Sequence, residues 1–124
     1  MERNPSSRLS LKERRERYRQ QLQETLTRLV EVLSADPTVQ RVILFGSYAR
    51  GRADLLTDLD LVVVQSSDRD FLTRMTELYG RIGPLPVDAD ILVYTPQEWE
   101  QMQDTPFGRR VMREGKVLYE KVSP

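Results

Sequence analysis

Two apolar runs of strand length stand close together in this chain, and their separation limits the folds it can adopt. Val39–Phe45 has the pattern of a buried strand, and in Asp58–Val64 polar and apolar residues alternate as they do on a second strand. The link from Gly46 to Thr57 is too short to hold a full crossover helix. We therefore predict that these two strands are antiparallel or joined by a compact turn, within a mixed sheet.

Helical and strand patterns alternate along the rest of the chain. The further predicted elements are a helix from Leu9 to Leu33, a short helix or turn from Tyr48 to Arg52, a helix opened by Asp68–Asp70, a strand from Val87 to Tyr94, helix starts at Thr95 and Thr105, and a final strand from Lys116 to Tyr119. This order predicts one α/β domain (α+β-like), a mixed central sheet of about four strands flanked by helices. Its expected divisions are a flexible N-terminus (1–8), an N-terminal helix (9–36) packed on the rest, and the main domain (37–124).

Composition excludes several kinds of chemistry. The chain has no histidine and no cysteine, which removes imidazole bases, thiolate nucleophiles and most transition-metal sites. Its 19 basic and 19 acidic side chains cancel, so no global charge favours nucleic acid. The apolar runs are far shorter than the roughly 20 residues of a membrane helix, so a cytoplasmic protein is expected. The basic first half of the N-terminal helix is interpreted as a solvated face, with a contact to a partner or to phosphate as the alternative.

A Gly-Ser pair follows the first strand pattern directly. Gly46 allows a sharp turn and a close backbone approach to a ligand, and Ser47 is predicted to cap a following helix. Free N–H groups at such a turn can hold an anion, and Arg50 is placed to add a charge-assisted bond to phosphate. Alone, this pattern is also that of an ordinary turn.

Carboxylates follow on the next two strand patterns. Asp58 and Asp60 are two residues apart, so both project from one face of a strand and repel each other unless a cation lies between them. Oxygen ligands of this kind suit Mg²⁺. Asp88 and Asp90 also share a face, and either can supply a third acid; Asp90 is favoured because it directly precedes the apolar core of its strand. A phosphate-holding turn facing three acids is the equipment of two-metal nucleotidyl transfer.

These residues resemble the polymerase β-type nucleotidyltransferase superfamily. Its signature is Gly-Ser, ten residues, then Asp-x-Asp, with a third Asp on a later strand, which here correspond to Gly46–Ser47, Asp58, Asp60 and Asp90. The chain is also similar to the minimal nucleotidyltransferases of HEPN/MNT toxin–antitoxin pairs. This similarity covers residues 46–51, 57–61, 90–98 and 113–120. Thr57 stands where the family commonly has Ser.

The resemblance implies a specific activity. It implies that the chain adopts the nucleotidyltransferase fold and acts as an antitoxin that transfers AMP from ATP to a tyrosine of a HEPN ribonuclease toxin. Gly46, Ser47 and Arg50 then hold the triphosphate, while Asp58, Asp60 and Asp90 bind Mg²⁺ and assist the acceptor hydroxyl. The alternatives are an antitoxin that acts by binding alone and transfer to a small molecule. The sequence leaves the preferred nucleotide open, as well as whether the protein forms a homo-oligomer or a hetero-oligomer with its partner.

Overall fold

The structure is a computed structural model that describes residues 9–122. The predicted flexible N-terminus, residues 1–8, lies outside this range. The elements are α1 (Leu11–Ser34), β1 (Val39–Phe45), α2 (Gly46–Ala49), β2 (Leu59–Gln65), α3 (Phe71–Ile82), β3 (Ala89–Tyr94), α4 (Pro96–Met102), α5 (Pro106–Glu114) and β4 (Lys116–Glu120). No helix within residues 9–122 is long and apolar enough to cross a membrane.

The four strands form one mixed sheet in the order β3-β2-β1-β4. β1 is antiparallel to both β2 and β4, whereas β2 and β3 are parallel and are connected through α3. The short link between β1 and β2 contains only α2, so β2 returns beside β1 in the opposite direction. The predicted mixed sheet and the antiparallel pairing of the first two strands are confirmed.

Helices cover both faces of the sheet. α1 and α3 pack on one face, where alternate strand residues form the larger core; among its members are Leu22, Leu29, Leu44, Leu61, Leu78 and Ile91. α4 and α5 cover the other face, where the smaller core contains Ile43, Val62, Val64, Trp99 and Val111. Because strand side chains alternate between faces, Asp60 belongs to the face of Val62, which α4 and α5 cover, whereas Asp58 lies just before β2.

Side-chain caps set where α1, α3, α4 and α5 begin. α1 starts after Ser10, whose hydroxyl accepts from the N–H of Glu13 in a capping box, two residues later than the predicted start at Leu9. The predicted starts at Thr95 and Thr105 are confirmed, since each threonine caps the helix that follows it. The third strand was predicted from Val87 but begins at Ala89. Val87 is buried in the core outside the strand ladder, so its apolar character reflects packing and not pairing.

A buried arginine joins α3 to α4 around the edge strand β3. Arg74 is only 4% exposed, and its guanidinium pairs with Glu98 and donates to the carbonyl of Arg69. Glu98 also accepts from the backbone N–H of Thr95, completing the capping box of α4. One carboxylate therefore neutralises a buried cation and stabilises a helix start.

We expect Glu98→Ala to lower the free energy of unfolding by about 2–3 kcal/mol, because it leaves a buried guanidinium without its counter-charge and removes one of the two hydrogen bonds of the capping box. Glu98 is itself partly solvated, which limits the loss of stability. Urea denaturation measures the change. Glu100→Ala, at an exposed position of the same helix, is the matched control and should change stability by less than about 0.5 kcal/mol. Equal effects of the two substitutions would contradict this account of Arg74.

Candidate active site

The turn after β1 brings the backbone of Gly46 against the carboxylate of Asp60. Gly46 has a φ of 77°, and Phe45, the residue before it, is paired with Asp60 across the β1–β2 ladder. A Cβ placed on Gly46 would lie 2.2 Å from Oδ2 of Asp60. Glycine is therefore required here for two separate reasons, its backbone conformation and the space that the carboxylate occupies.

The helix that follows begins earlier than predicted. α2 already includes Gly46, its N-cap is Phe45, and no side chain caps it, so the predicted capping role of Ser47 is wrong. Ser47 is instead the second residue of this single turn, half-buried beside the cavity described below. The first N–H groups of any helical turn have no partner within the helix. Among the turn, loop and cap bonds found within residues 9–122, none is donated by the N–H of Ser47 or Tyr48, so both can bind an anion beside the Ser47 hydroxyl.

Hydrogen bonds fix the loop that leads to Asp58. The carboxylate of Asp54 accepts from Arg52 at 2.6 Å and from the N–H of Leu56 at 2.8 Å, and the Arg52 bond is the main reason why its pKa falls to about 2. The N–H of Asp54 donates to the Thr57 hydroxyl at 3.0 Å. Tyr18 of α1 donates to the carbonyl of Thr57 at 2.8 Å. The approach to the Asp-x-Asp pair is therefore held by local bonds and by α1.

Thr57 is fully buried, and its hydroxyl both accepts from the Asp54 N–H and donates to the Asp54 carboxylate. We expect Thr57→Val, which keeps the shape and removes these bonds, to cost about 1–3 kcal/mol of unfolding free energy because the Asp54 N–H loses its acceptor. Thr57→Ser keeps the hydroxyl and should retain most of the stability. Thermal unfolding of both variants measures the difference, and a serine variant as unstable as the valine variant would contradict a role for the hydroxyl.

The acids lie at one end of β2 and β3. Asp58 is exposed immediately before β2, and Asp60 is half-buried within it. Asp90 is exposed in β3 and is the register partner of Asp60 on the adjacent parallel strand. Asp88 precedes β3, and its carbonyl accepts the N–H of Leu59.

The charges that act on Asp60 distinguish Asp90 from Asp88. Burial raises the pKa of Asp60, and the charges of Asp90 and then Asp58 raise it further, while Arg50 opposes them. Asp88 instead contributes to raising the pKa of Tyr18, after burial and together with Asp58 and Asp54. The negative charge facing Asp60 thus comes from Asp58 and Asp90.

A cavity of about 320 Å³ opens between the Gly46 turn and α5. Its lining residues are Phe45, Gly46, Ser47, Arg50, Asp60, Arg110, Val111 and Glu114. It brings the predicted phosphate-binding residues together with one of the predicted acids, whereas Asp58 and Asp90 are not among its lining residues. The wall supplied by α5 was missed by sequence reasoning. The available signal was the pair Arg110 and Glu114, four residues apart and therefore on one face of a helix.

The donor set fits a hard cation only in part. Within residues 9–122, no group of three or more acidic, histidine or cysteine side chains is arranged to hold a metal ion. However, burial and then the charges of two further carboxylates raise the pKa of Asp60, and a cation would offset that repulsion. Mg²⁺ commonly takes one or two carboxylates and completes its coordination with water and substrate phosphate. The carboxylates therefore suit Mg²⁺ when phosphate is present to share it.

The chain matches a known protein family over most of its length. Residues 27–123 match the family described as Polymerase beta, Nucleotidyltransferase. A relative from Methanocaldococcus jannaschii, named “Putative protein adenylyltransferase”, is 33% identical over 85 residues, which are 65% of this chain and 79% of the relative. These matches confirm the resemblance drawn from the sequence motifs.

Solved structures show the same fold. A structure from Sulfolobus solfataricus, described as a putative nucleotidyltransferase, has a TM-score of 0.61 at 19% identity and covers 86% of this chain and 87% of its own. A chain of the toxin–antitoxin complex MntA–HpeT has a TM-score of 0.52 at 24% identity, covering 80% of this chain and 72% of its own. The predicted fold class is confirmed.

Proposed function

The chain belongs to the polymerase β nucleotidyltransferase family and is a nucleotidyltransferase, and we propose that it transfers AMP from ATP to a tyrosine hydroxyl of a HEPN ribonuclease toxin, for which it is the antitoxin. The observation that carries the proposal is the contact of the Asp60 carboxylate with Gly46, in a cavity shared with Ser47 and Arg50. A carboxylate is thereby fixed at the site where a triphosphate would bind.

Different residues of the site bind the nucleotide donor and act on the acceptor hydroxyl. Gly46, the free N–H groups of α2, the Ser47 hydroxyl and Arg50 bind the phosphates. Asp58 and Asp60, with Asp90 beside them, would hold Mg²⁺, two ions in the complete site. When bound, Mg²⁺ neutralises phosphate charge and favours ionisation of the attacking hydroxyl.

Asp90 has a second role at the acceptor. With no histidine in the chain, a carboxylate is the available group to accept the hydroxyl proton, and Asp90 is exposed next to Asp60. The acceptor oxygen forms a bond to the α-phosphorus, the bond between the α-phosphorus and the bridging oxygen breaks, and pyrophosphate leaves. Positioning and charge neutralisation account for most of the catalysis in this scheme.

The protein acceptor and the toxin are inferred from the relatives. The Methanocaldococcus jannaschii relative is named for adenylyl transfer to protein, and the structural neighbour MntA–HpeT is a toxin–antitoxin complex. The first supports a protein acceptor and the second a toxin partner for this chain, which would then work as a hetero-oligomer with that toxin.

Incubation with α-labelled ATP, Mg²⁺ and a HEPN protein encoded next to this chain tests the proposal. We expect label on the partner, loss of its ribonuclease activity, and no label when its acceptor tyrosine is changed to phenylalanine. Inhibition of the partner without any label would instead indicate an antitoxin that acts by binding. Label on a small hydroxylated acceptor in the absence of protein would indicate small-molecule transfer.

A further inference from the structure

Helix α5 presents two charged side chains to the cavity, one basic and one acidic, and neither belongs to the sequence motif. Arg110 and Glu114 are one helical turn apart, and both line the cavity opposite Gly46 and Ser47. Val111, buried between the smaller core and the cavity, anchors this part of the helix. The position of α5 is thus fixed by packing, while its two charged side chains face the open space.

The two cavity arginines differ in their partners. Arg50 forms an ion pair with Glu114 at 3.5 Å, with 55% and 33% of the two side chains exposed. Glu114 also lies 3.9 Å from Arg113. No carboxylate pairs with Arg110 among the ion pairs found in residues 9–122. Arg110 therefore has its charge available, and Arg50 is held by a partly exposed pair of the kind that is usually weak.

The adjacent arginine of α5 does not share the position of Arg110 at the cavity. Arg109 donates to the carbonyl of Asp104 at 3.0 Å and does not line the cavity. The two adjacent arginines of α5 thus have different surroundings, although the sequence alone does not distinguish them.

We propose that Arg110 binds the β and γ phosphates of the nucleotide, and that Glu114 holds Arg50 until those phosphates replace it. The inference rests on the proposed function for its ligand, a nucleoside triphosphate. Arginine binds phosphate through paired, charge-assisted hydrogen bonds that are stronger than an exposed ion pair, so Arg50 exchanges Glu114 for phosphate favourably. Arg110 is then a substrate-binding residue, and Glu114 competes with the substrate phosphates for Arg50.

Nucleotide binding measured without any acceptor tests this assignment. Competition against a fluorescent nucleotide in the presence of Mg²⁺ gives the Kd of ATP and of AMP for each variant. We expect Arg110→Gln to raise the Kd of ATP about tenfold or more, as loss of a charge-assisted bond implies, and to leave that of AMP nearly unchanged. Glu114→Gln should lower the Kd of ATP by about two- to fivefold, because it removes a weak competing pair. Arg109→Gln is the matched control and should change neither value.

Several results would overturn the assignment. They are equal effects of Arg110→Gln and Arg109→Gln, equal weakening of ATP and AMP by Arg110→Gln, weaker ATP binding in Glu114→Gln, or no ATP binding by the unmodified protein. Because no acceptor is present, the proposed function can fail separately. ATP binding with the expected pattern, together with no labelled partner, would support the role of Arg110 and refute transfer to the toxin.

Discussion

Asp60→Asn is expected to lower AMP transfer by about 10²- to 10⁴-fold while the protein remains folded. Asp60 is the acid that contacts the Gly46 turn and lines the cavity, so no other described carboxylate occupies its position. Asparagine keeps the shape but removes one oxygen ligand and the negative charge needed to hold Mg²⁺ beside the phosphates. Labelling of the partner protein with α-labelled ATP measures the loss.

Stability should change in the opposite direction to activity. Because burial and the charges of Asp90 and Asp58 raise the pKa of Asp60, its ionisation costs the folded state free energy. In the unmodified protein without Mg²⁺, that loss sets in as pH rises from the unfolded-state pKa through the higher folded-state pKa. Asp60→Asn cannot ionise, so it should be at least as stable as the unmodified protein at neutral pH. Denaturation at pH 3 and at pH 7 measures both limits.

Substitutions of other aspartates test whether the loss of transfer is specific to Asp60. Asp68→Asn removes an exposed charge in the loop before α3 and should leave transfer within about twofold, as expected for a surface change away from the site. Asp90→Asn should reduce transfer strongly, whereas Asp88→Asn should have little effect, because Asp90 is the acid coupled to Asp60. A larger loss in Asp88→Asn than in Asp90→Asn would reverse the assignment of the third carboxylate. Unchanged transfer in Asp60→Asn would refute the proposed mechanism.

The sheet and its helix starts follow from local patterns in the sequence. The length of the Gly46–Thr57 link was enough to predict that β2 returns beside β1, and the Thr95 and Thr105 caps were recognisable from residue type and spacing. Local patterns were less informative at boundaries. Branched and aromatic residues predict a strand from Val87 to Tyr94, although Val87 packs in the core before the strand begins.

The site is less predictable because much of it depends on contacts distant in the chain. Tyr18 reaches Thr57 across 39 residues, and α5 closes the cavity from the C-terminal part of the chain. The Tyr18 contact has no local signature, and the spacing of Arg110 and Glu114 indicates only that they share a helix face, not that this face lines a cavity. Ser47 illustrates the same limit on a smaller scale. Its type suits a cap, but α2 begins at Gly46, two residues before the predicted start at Tyr48, so the serine lies within the turn.

Gly46→Ala is expected to reduce transfer by about 10²-fold, because the added methyl would displace the Asp60 carboxylate and such misplacement of a reacting group is costly. Part of the damage has a different origin, since alanine at a φ of 77° is strained wherever it occurs and should lower stability by about 1–3 kcal/mol.

Gly51→Ala separates the two causes. Gly51 has a φ of 94°, yet a Cβ there would meet no atom within 4 Å. This variant should therefore show a comparable loss of stability with transfer largely retained. Denaturant unfolding and partner labelling of both variants, compared at a temperature where both are folded, give the answer. If Gly51→Ala loses as much transfer as Gly46→Ala, backbone strain alone explains both, and the close contact with Asp60 is not what makes Gly46 necessary.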